Sequence, residues 1–155
     1  MKKITFTFVM TLVFVLGHAQ APNIQWEKSL GGSGTDIAYC VRQTSDGGYI
    51  LVGETNSTDG DVTANNGTTD FWVAKLDANG ALQWQKALGG SGDDRGYSVA
   101  PTADGGYIVV GASNSTNGDV SGGKGLYDFW VVKLTSTGTI TWQKMLGGTG
   151  IDEAR

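Results

Sequence analysis

The sequence predicts an all-β protein made of tandem four-stranded antiparallel units. A stretch of the form W-x-K-x-L-G-G-[ST]-G-x-D occurs three times, beginning at Trp26, Trp84 and Trp142, so both intervals are 58 residues. Each repeat contains short apolar or alternating segments separated by glycine-containing turns. No segment after the N-terminal region places apolar residues at i, i+3, i+4 and i+7, the pattern of an amphipathic helix. A repeat of this length indicates an array in which each unit packs against the next.

The similarity between repeats extends over their whole length. Residues 26–83 align with residues 84–141 without a gap, and 32 of the 58 positions are identical. Outside the tryptophan stretch, the shared segments have the sequences D-G-G-Y-I, N-S-T, G-D-V and D-F-W-V-x-K-L. The two copies are therefore expected to have the same order of strands and turns.

Each unit predicts four strands. The first covers residues 37–43, and the Asp46-Gly47 pair after it favours a tight hairpin because glycine tolerates positive φ. The second, Tyr49–Thr55, begins with an unbroken apolar run and must be covered on both faces. The third, residues 70–77, is apolar on both faces at its start. The fourth, Leu82–Leu88, alternates in the manner of a half-exposed outer strand.

Four antiparallel strands per unit, with inner strands buried on both faces, predict the blades of a β-propeller. The glycine-rich link would carry the chain from the outer strand of one blade to the inner strand of the next. Two complete blades are predicted, at residues 37–88 and 95–146. A lone outer strand at 24–30 precedes them, and the start of a further blade at 147–155 follows. A solenoid is the competing all-β arrangement.

The number of predicted blades bears on how the repeat region, residues 20–155, is completed. A closed ring takes about 4–8 blades, so we expect an open fragment of a longer protein. The alternative is a complete small protein that closes by self-association. Further blades, from the parent chain or from other copies, are therefore expected partners. Uncovered end sheets also predict that the isolated region is poorly soluble.

Residues 1–19 predict a secretory signal peptide. Lys2 and Lys3 precede an apolar run at residues 4–16, and Ala19 ends a stretch with small residues before a cleavage site. The apolar run is too short to span a bilayer comfortably, so no transmembrane span is expected. Cleavage after Ala19 would leave Gln20 as the first residue. The mature chain would then be secreted or held at the cell surface.

The composition of the mature chain excludes several kinds of chemistry. His18 is the only histidine and lies in the predicted signal peptide, which excludes Ser-His-Asp, Cys-His and His-ligated zinc sites. The net charge is −4, and loss of Lys2 and Lys3 makes it more negative, which argues against nucleic acid as a partner. Cys40 has no second cysteine with which to pair, and we interpret it as a small buried strand residue.

The best candidate site is the loop between the second and third strands of each unit. Its sequence is N-S-T-D-G-D-V in the first unit and N-S-T-N-G-D-V in the second. Side-chain oxygens at this spacing could surround Ca²⁺, which takes about six to eight oxygen ligands. The calcium candidates are Asp59, Asp61, Asn117 and Asp119. Asx-turns and local side-chain-to-backbone hydrogen bonds explain the same residues without a metal. No other cofactor is predicted.

The other repeated polar and aromatic residues are assigned to structure. The carboxylates after each link are expected to accept backbone N–H groups across the bend. The tryptophans are expected to pack between blades, although those of the third strands could stack on sugars and the others on cofactor rings. Lys75 and Lys133 are expected to reach solvent. The residues with this structural assignment are Asp36, Asp94, Asp152, Trp26, Trp72, Trp84, Trp130 and Trp142.

Taken together, the motifs W-x-K-x-L-G-G-[ST]-G-x-D, D-G-G-Y-I and D-F-W-V-x-K-L resemble the propeller-type repeats of secreted proteins from Bacteroidota. The resemblance covers the whole mature chain. Proteins of this kind are often exported through the type IX system and carry a C-terminal sorting domain, which this sequence does not show. The segment from Lys75 to Trp84 is also similar to the tryptophan-docking blades of quinoprotein-like propellers. The resemblance implies architecture and export, since most such proteins have no assigned activity.

These observations predict an exported, non-enzymatic β-propeller repeat segment that serves as a surface or extracellular binding module. Its ligand would be a protein or a glycan. One alternative is a carbohydrate-binding, lectin-like propeller. The other is a fragment of a quinoprotein-like propeller enzyme. The enzyme has less support because the mature chain lacks histidine and adjacent cysteines, and no residue breaks the repeat.

Overall fold

The computed structural model describes residues 21–153, and within that range all regular structure is β-strand. The predicted all-β class is confirmed. No helix in the described range is long and apolar enough to cross a membrane. The predicted signal peptide lies outside the described residues. The strands are β1 (Asp36–Gln43), β2 (Tyr49–Thr55), β3 (Asp70–Leu76), β4 (Leu82–Leu88), β5 (Asp94–Pro101), β6 (Tyr107–Ser113), β7 (Asp128–Leu134) and β8 (Ile140–Leu146).

The eight strands form two four-stranded sheets in which each strand pairs with the next in sequence. Sheet 1 has the order β1-β2-β3-β4 and sheet 2 the order β5-β6-β7-β8, and every pair is antiparallel. The predicted Asp-Gly turn joins β1 to β2. There Gly47 has a φ of 80°, and its N–H donates to the Thr44 carbonyl at 2.9 Å.

Burial increases towards the middle of sheet 1. Every residue of β3 is buried, whereas the outer strand β4 alternates between half-buried and exposed positions before the buried Leu88. This is the pattern predicted from the apolar D-F-W-V segment and the alternating outer strand. In sheet 2 the central strand β7 alternates between buried and half-buried residues.

The two sheets pack face to face over one hydrophobic core. Sheet 1 contributes one face of its two central strands, with Ile50, Val52, Phe71 and Val73 almost wholly buried. Sheet 2 contributes the buried side chains of Tyr107, Val109, Trp130, Val132 and Leu134. Glycine lets the backbones approach here, since a Cβ on Gly111 would lie 2.6 Å from Phe71 Cζ. The core therefore lies between the repeats as well as within them.

A parallel bridge connects each sheet to the glycine-rich link that follows it. Thr69, just before β3, bridges Asp93 in the link that leads to β5, and Asp94 N–H donates to the Thr69 carbonyl at 2.7 Å. The same bridge joins Tyr127 to Ile151 after sheet 2. The link is thus held against the sheet that precedes it.

Three predicted elements differ from the structure. Residues 24–30 form no strand, because a strand is defined by pairing and no neighbouring strand pairs with this segment. The prediction of a lone outer strand there was wrong. At the other elements the differences are single residues: β1 begins at Asp36, and β3 ends at Leu76.

Candidate functional site

The link before β1 and the loop after β2, which the sequence presents as separate motifs, form one hydrogen-bonded site. We call residues 31–35 link 1 and residues 56–61 loop 1; link 2 and loop 2 are residues 89–93 and 114–119. Five consecutive backbone N–H groups of link 1 each donate to a different side-chain oxygen. The donor and acceptor pairs are Gly31 to Asp61, Gly32 to Asp36, Ser33 to Asp59, Gly34 to Ser57 and Thr35 to Asn56.

Link 2 repeats this arrangement, with every partner displaced by 58 residues. The pairs are Gly89 to Asp119, Gly90 to Asp94, Ser91 to Asn117, Gly92 to Ser115 and Asp93 to Asn114. The donor-to-acceptor distances run from 2.6 Å for Asp93 to 3.3 Å for Gly89. Two independent copies of the same ten partners explain why both motifs recur in the sequence.

The carboxylate at the start of the first strand explains why a hydroxyl residue recurs at the end of the second strand and a serine two residues later. Asp36 accepts the Thr55 hydroxyl at 2.5 Å and the Ser57 hydroxyl at 2.8 Å, besides the Gly32 N–H at 2.8 Å. In sheet 2 the corresponding donors to Asp94 are Ser113, Ser115 and Gly90. In the third copy, Asp152 accepts the Gly148 N–H at 2.8 Å.

The two equivalent carboxylates have opposite pKa shifts. In Asp36, burial raises the pKa, but the three hydrogen bonds outweigh it and the pKa lies below its ordinary value. In Asp94 the same bonds are present, but burial dominates and the pKa is raised. The difference follows from packing: Asp94 lies at the joint between the sheets and is 0% exposed, whereas Asp36 is half-buried.

A further buried carboxylate, Asp70, was not singled out in the sequence. Its Oδ2 accepts the Asn66 N–H at 2.7 Å, while its Oδ1 is buried with no hydrogen-bond partner. A Cβ on Gly89 would lie 2.8 Å from this oxygen, so the oxygen faces the link backbone. Burial, together with the nearby charges of Asp94 and Asp119, raises the pKa of Asp70 to about 6. The signal available in the sequence was its recurrence at Asp128, whose Oδ1 is likewise buried without a partner.

The carboxyl pair Asp70 and Asp94 is not arranged for general acid–base catalysis. A carboxyl with a pKa near 6 could exchange protons at neutral pH. Both side chains are 0% exposed, however, so a substrate cannot reach them. Asp94 accepts one backbone N–H group and two hydroxyl groups at the joint, and Asp70 accepts the Asn66 N–H.

The four calcium candidates all lie in the link–loop site. Asp59 and Asn117 accept the N–H groups of Ser33 and Ser91 at 2.6 and 2.8 Å. Asp61 and Asp119 accept the first N–H group of each link. Residues 21–153 contain no group of three or more histidine, cysteine, aspartate or glutamate side chains placed to hold a metal ion. The geometry shows these residues binding the protein backbone.

At the opposite end of each sheet, a lysine is tied to the β-hairpin. Lys75 donates to Asp46 at 2.9 Å, to the Leu76 carbonyl at 2.9 Å and to Gln83 at 3.2 Å, and only 3% of its side chain is exposed. The expectation that this lysine reaches solvent was wrong, because the hairpin turn folds over it. Lys133 repeats the ion pair with Asp104 at 2.9 Å and is 14% exposed.

Hydrogen bonds from threonine and lysine side chains lower the pKa values of the hairpin carboxylates Asp46 and Asp104. Hydrogen bonds from Thr44, then from Lys75 and Gly48, hold the pKa of Asp46 well below its ordinary range. A cleft of about 160 Å³ lies here between the sheets and is lined by Lys75 and Tyr107. Since the three ammonium protons of Lys75 already have acceptors, this lysine offers no free donor or nucleophile to a ligand.

Four of the five tryptophans fall into two groups. Trp72 and Trp130 are buried, and each indole N–H donates to a glutamine on the neighbouring outer strand, at 3.1 and 2.8 Å. They cannot stack on a sugar in this position. Trp84 instead packs on Tyr107 of the next sheet, and Trp26 packs on Tyr49, with ring centroids 5.9 and 5.4 Å apart.

Other candidate groups add no reactive centre. Cys40 is a free, half-buried thiol that packs against the core. Arg95 lies 3.3 Å from Glu54 across the sheet joint and over the Tyr127 ring at 5.9 Å. The guanidinium of Arg95, on β5, thus lies beside Glu54 of β2.

No protein-family model matches this chain, and no curated protein matches it.

Proposed function

We propose that sheets 1 and 2 are consecutive blades of a β-propeller-type array. The support is that each sheet is a four-stranded antiparallel meander, that the sheets stack face to face, and that a glycine-rich link carries the chain from the outer strand of one to the first strand of the next. The 58-residue repeat makes each joint equivalent. Such arrays typically have about 4–8 blades.

The chain would act as an exported, non-enzymatic binding module at the cell surface or in the medium. Its repeated polar residues hold the links and hairpins, so they support a scaffold more readily than a reaction. The resemblance to secreted Bacteroidota repeats and the N-terminal signal-peptide pattern support export. Loops carried by a rigid sheet scaffold are where binding residues are commonly found.

The observation that carries the binding role is the segment just before β3 and β7. Residues 63–69 and 121–127 follow loops of nearly identical sequence, yet they agree only at Gly67 and Gly125. Within one chain, the fold therefore tolerates different side chains here. In sheet 2 the segment presents Lys124 and Leu126 at exposed positions, with Leu126 65% exposed.

A protein ligand is favoured over a glycan. The third-strand tryptophans, which a lectin-like propeller would use for sugar stacking, are buried, and Trp130 packs on Phe71 of the other sheet. An exposed leucine beside a lysine is instead a surface suited to a protein partner with an apolar contact and an acidic rim.

Export and binding can be tested separately. Mass spectrometry of the native protein from the surface and medium fractions should find Gln20 as the first residue; an intact N-terminus in the cytoplasm would contradict export.

Surface-exposed and secreted proteins of the source cell should then be screened for binding. Leu126→Ser should weaken the binding of any ligand found, while Ala64→Ser, in the other segment, should not. Binding to a glycan array that survives Leu126→Ser would refute the proposed surface.

A further inference from the structure

The internal joint between the sheets has a tryptophan knob and a receiving pocket. Trp84, on the outer strand of sheet 1, packs on Tyr107 of sheet 2. Its ring lies where a Cβ on Gly138 would stand only 2.9 Å from Cζ3, and its indole N–H donates to the Ser136 carbonyl at 3.1 Å. The pocket is thus made by the first residue of β6 and the turn between β7 and β8.

Trp26, in residues 24–30, occupies the equivalent position on sheet 1 without being part of a sheet, and it remains 37% exposed. The sequence of residues 24–30, I-Q-W-E-K-S-L, corresponds to L-Q-W-Q-K-A-L in β4 at the same repeat positions. Trp26 packs on Tyr49 with centroids 5.4 Å apart, and a Cβ on Gly80 would lie 2.7 Å from Trp26 Cε3. We call residues 24–30 the cap segment. It places a tryptophan where the outer strand of a preceding sheet would place one.

The third tryptophan has no such pocket within the described residues. Trp142, at the same position in β8, is 48% exposed. One face of sheet 1 packs on sheet 2. The corresponding face of sheet 2 is only partly covered. Ile108, Val110, Phe129 and Val131 are half-buried there, whereas their counterparts in sheet 1 are 0–1% exposed.

We propose that sheet 2 of one copy docks on sheet 1 of a second copy, with Trp142 replacing Trp26 in the pocket formed by Tyr49 and Gly80. The repeat generates both surfaces. The free face of sheet 2 has the same sequence pattern as the face of sheet 1 that packs on sheet 2 within the chain. The pocket formed by Tyr49 and Gly80 has the same residue types as the pocket that holds Trp84. The contact continues an interface that the chain already makes.

The cap segment regulates this docking. It is tethered to sheet 1, so its effective concentration at the pocket exceeds that of a second chain in dilute solution. The wild-type chain therefore stays mostly monomeric until the cap is displaced. Because the two docking surfaces differ, each added copy leaves one of them free, and association continues until a ring closes or a filament forms. The inference requires only the observed stacking of sheets, and it stands whether or not the stack is a propeller.

Sedimentation equilibrium of the purified chain over a wide concentration range tests the proposal. Trp26→Ala should raise the association constant by about tenfold or more, as expected for removal of a tethered competitor. The double variant Trp26→Ala/Trp142→Ala should return to the monomer. A monomeric Trp26→Ala chain, or equal association of the single and double variants, would overturn the proposal, since the latter marks unspecific aggregation.

A second measurement tests competition for the pocket directly. A peptide of residues 21–30 added to the associated Trp26→Ala chain should lower its average mass. The same peptide with Trp26→Ala should leave it unchanged. Equal effects of both peptides, or no effect of either, would contradict competition for the pocket.

Discussion

The rings of Phe71 and Trp130 lie 4.8 Å apart, centroid to centroid, with their planes crossing at 60°. One ring belongs to β3 and the other to β7, so this pair joins the centres of the two sheets. Both side chains are 0% exposed. Tilted aromatic pairs at this separation stabilise beyond the area they bury.

Replacing Phe71 should therefore separate the two sheets. Phe71→Ala is expected to lower the free energy of unfolding by about 3–5 kcal/mol, because it removes a buried ring and leaves a cavity at the joint. Phe129→Ala changes the equivalent residue of sheet 2, which is only half-buried, and should cost less than half as much. Urea denaturation followed by tryptophan fluorescence measures both. Equal losses of unfolding free energy in the two variants would show that the contact between the sheets does not add to the stabilising effect of Phe71.

Gly92 and Gly150 occupy the same repeat position but differ in their surroundings. A Cβ on Gly92 would collide with the Asn114 side-chain oxygen that accepts the Asp93 N–H, whereas a Cβ on Gly150 meets nothing within 4 Å. Gly92→Ala should cost about 2 kcal/mol through steric overlap and a lost hydrogen bond. Gly150→Ala should be neutral or slightly stabilising, because alanine reduces the entropy of the unfolded chain. Thermal melts of the two variants make the comparison, and similar losses would argue against the link–loop site.

The raised pKa of Asp70 predicts a pH dependence of stability. Its pKa is about 6 in the folded chain, against an ordinary value of 3.8. Between these values the folded chain binds more protons than the unfolded chain, so the free energy of unfolding falls as pH rises from about 4 to 6 and levels off above. Asp70→Asn should remove the part of this fall that Asp70 contributes and raise stability at pH 7 by about 2 kcal/mol, since asparagine keeps an oxygen for the Asn66 N–H.

Glu27→Gln serves as the control, since it removes a carboxylate at an exposed position. Urea unfolding at a series of pH values should show that the free energy of unfolding of Glu27→Gln falls between pH 4 and 6 as steeply as that of the wild type. An Asp70→Asn variant that is less stable than wild type at pH 7 would show that the ionised carboxylate is needed.

Calcium should leave the melting temperature unchanged. The loop oxygens of Asp59 and Asp61 accept link N–H groups at 2.6 and 3.2 Å, and residues 21–153 place no group of three or more histidine, cysteine, aspartate or glutamate side chains around a metal ion. Differential scanning calorimetry with millimolar Ca²⁺, and with Mg²⁺ as the control, tests this. A rise specific to calcium that disappears in Asp59→Asn would restore the loop as a calcium site.

Local patterns were sufficient for the strands. The Asp-Gly turns, the apolar run from Tyr49 and the alternation in β4 each depend on residues close together in the chain, and the bounds of β2 and β4 agree with the prediction. The burial of Lys75 was missed because its main partner, Asp46, is 29 residues away. Nothing in the local sequence shows that the hairpin turn folds over the third strand.

The repeat, the strand order and the absence of histidine chemistry after residue 18 were determined by the sequence alone, because periodicity and composition do not depend on how distant segments meet. Only the tertiary structure decided what the repeated polar residues of the loops do. Taken singly, Asn56 resembles a turn former and Asp61 a turn former or a metal ligand. They become acceptors for consecutive link N–H groups because the antiparallel pairing of β1 with β2 places the end of β2 beside the start of β1. That pairing turns two separate motifs into one site.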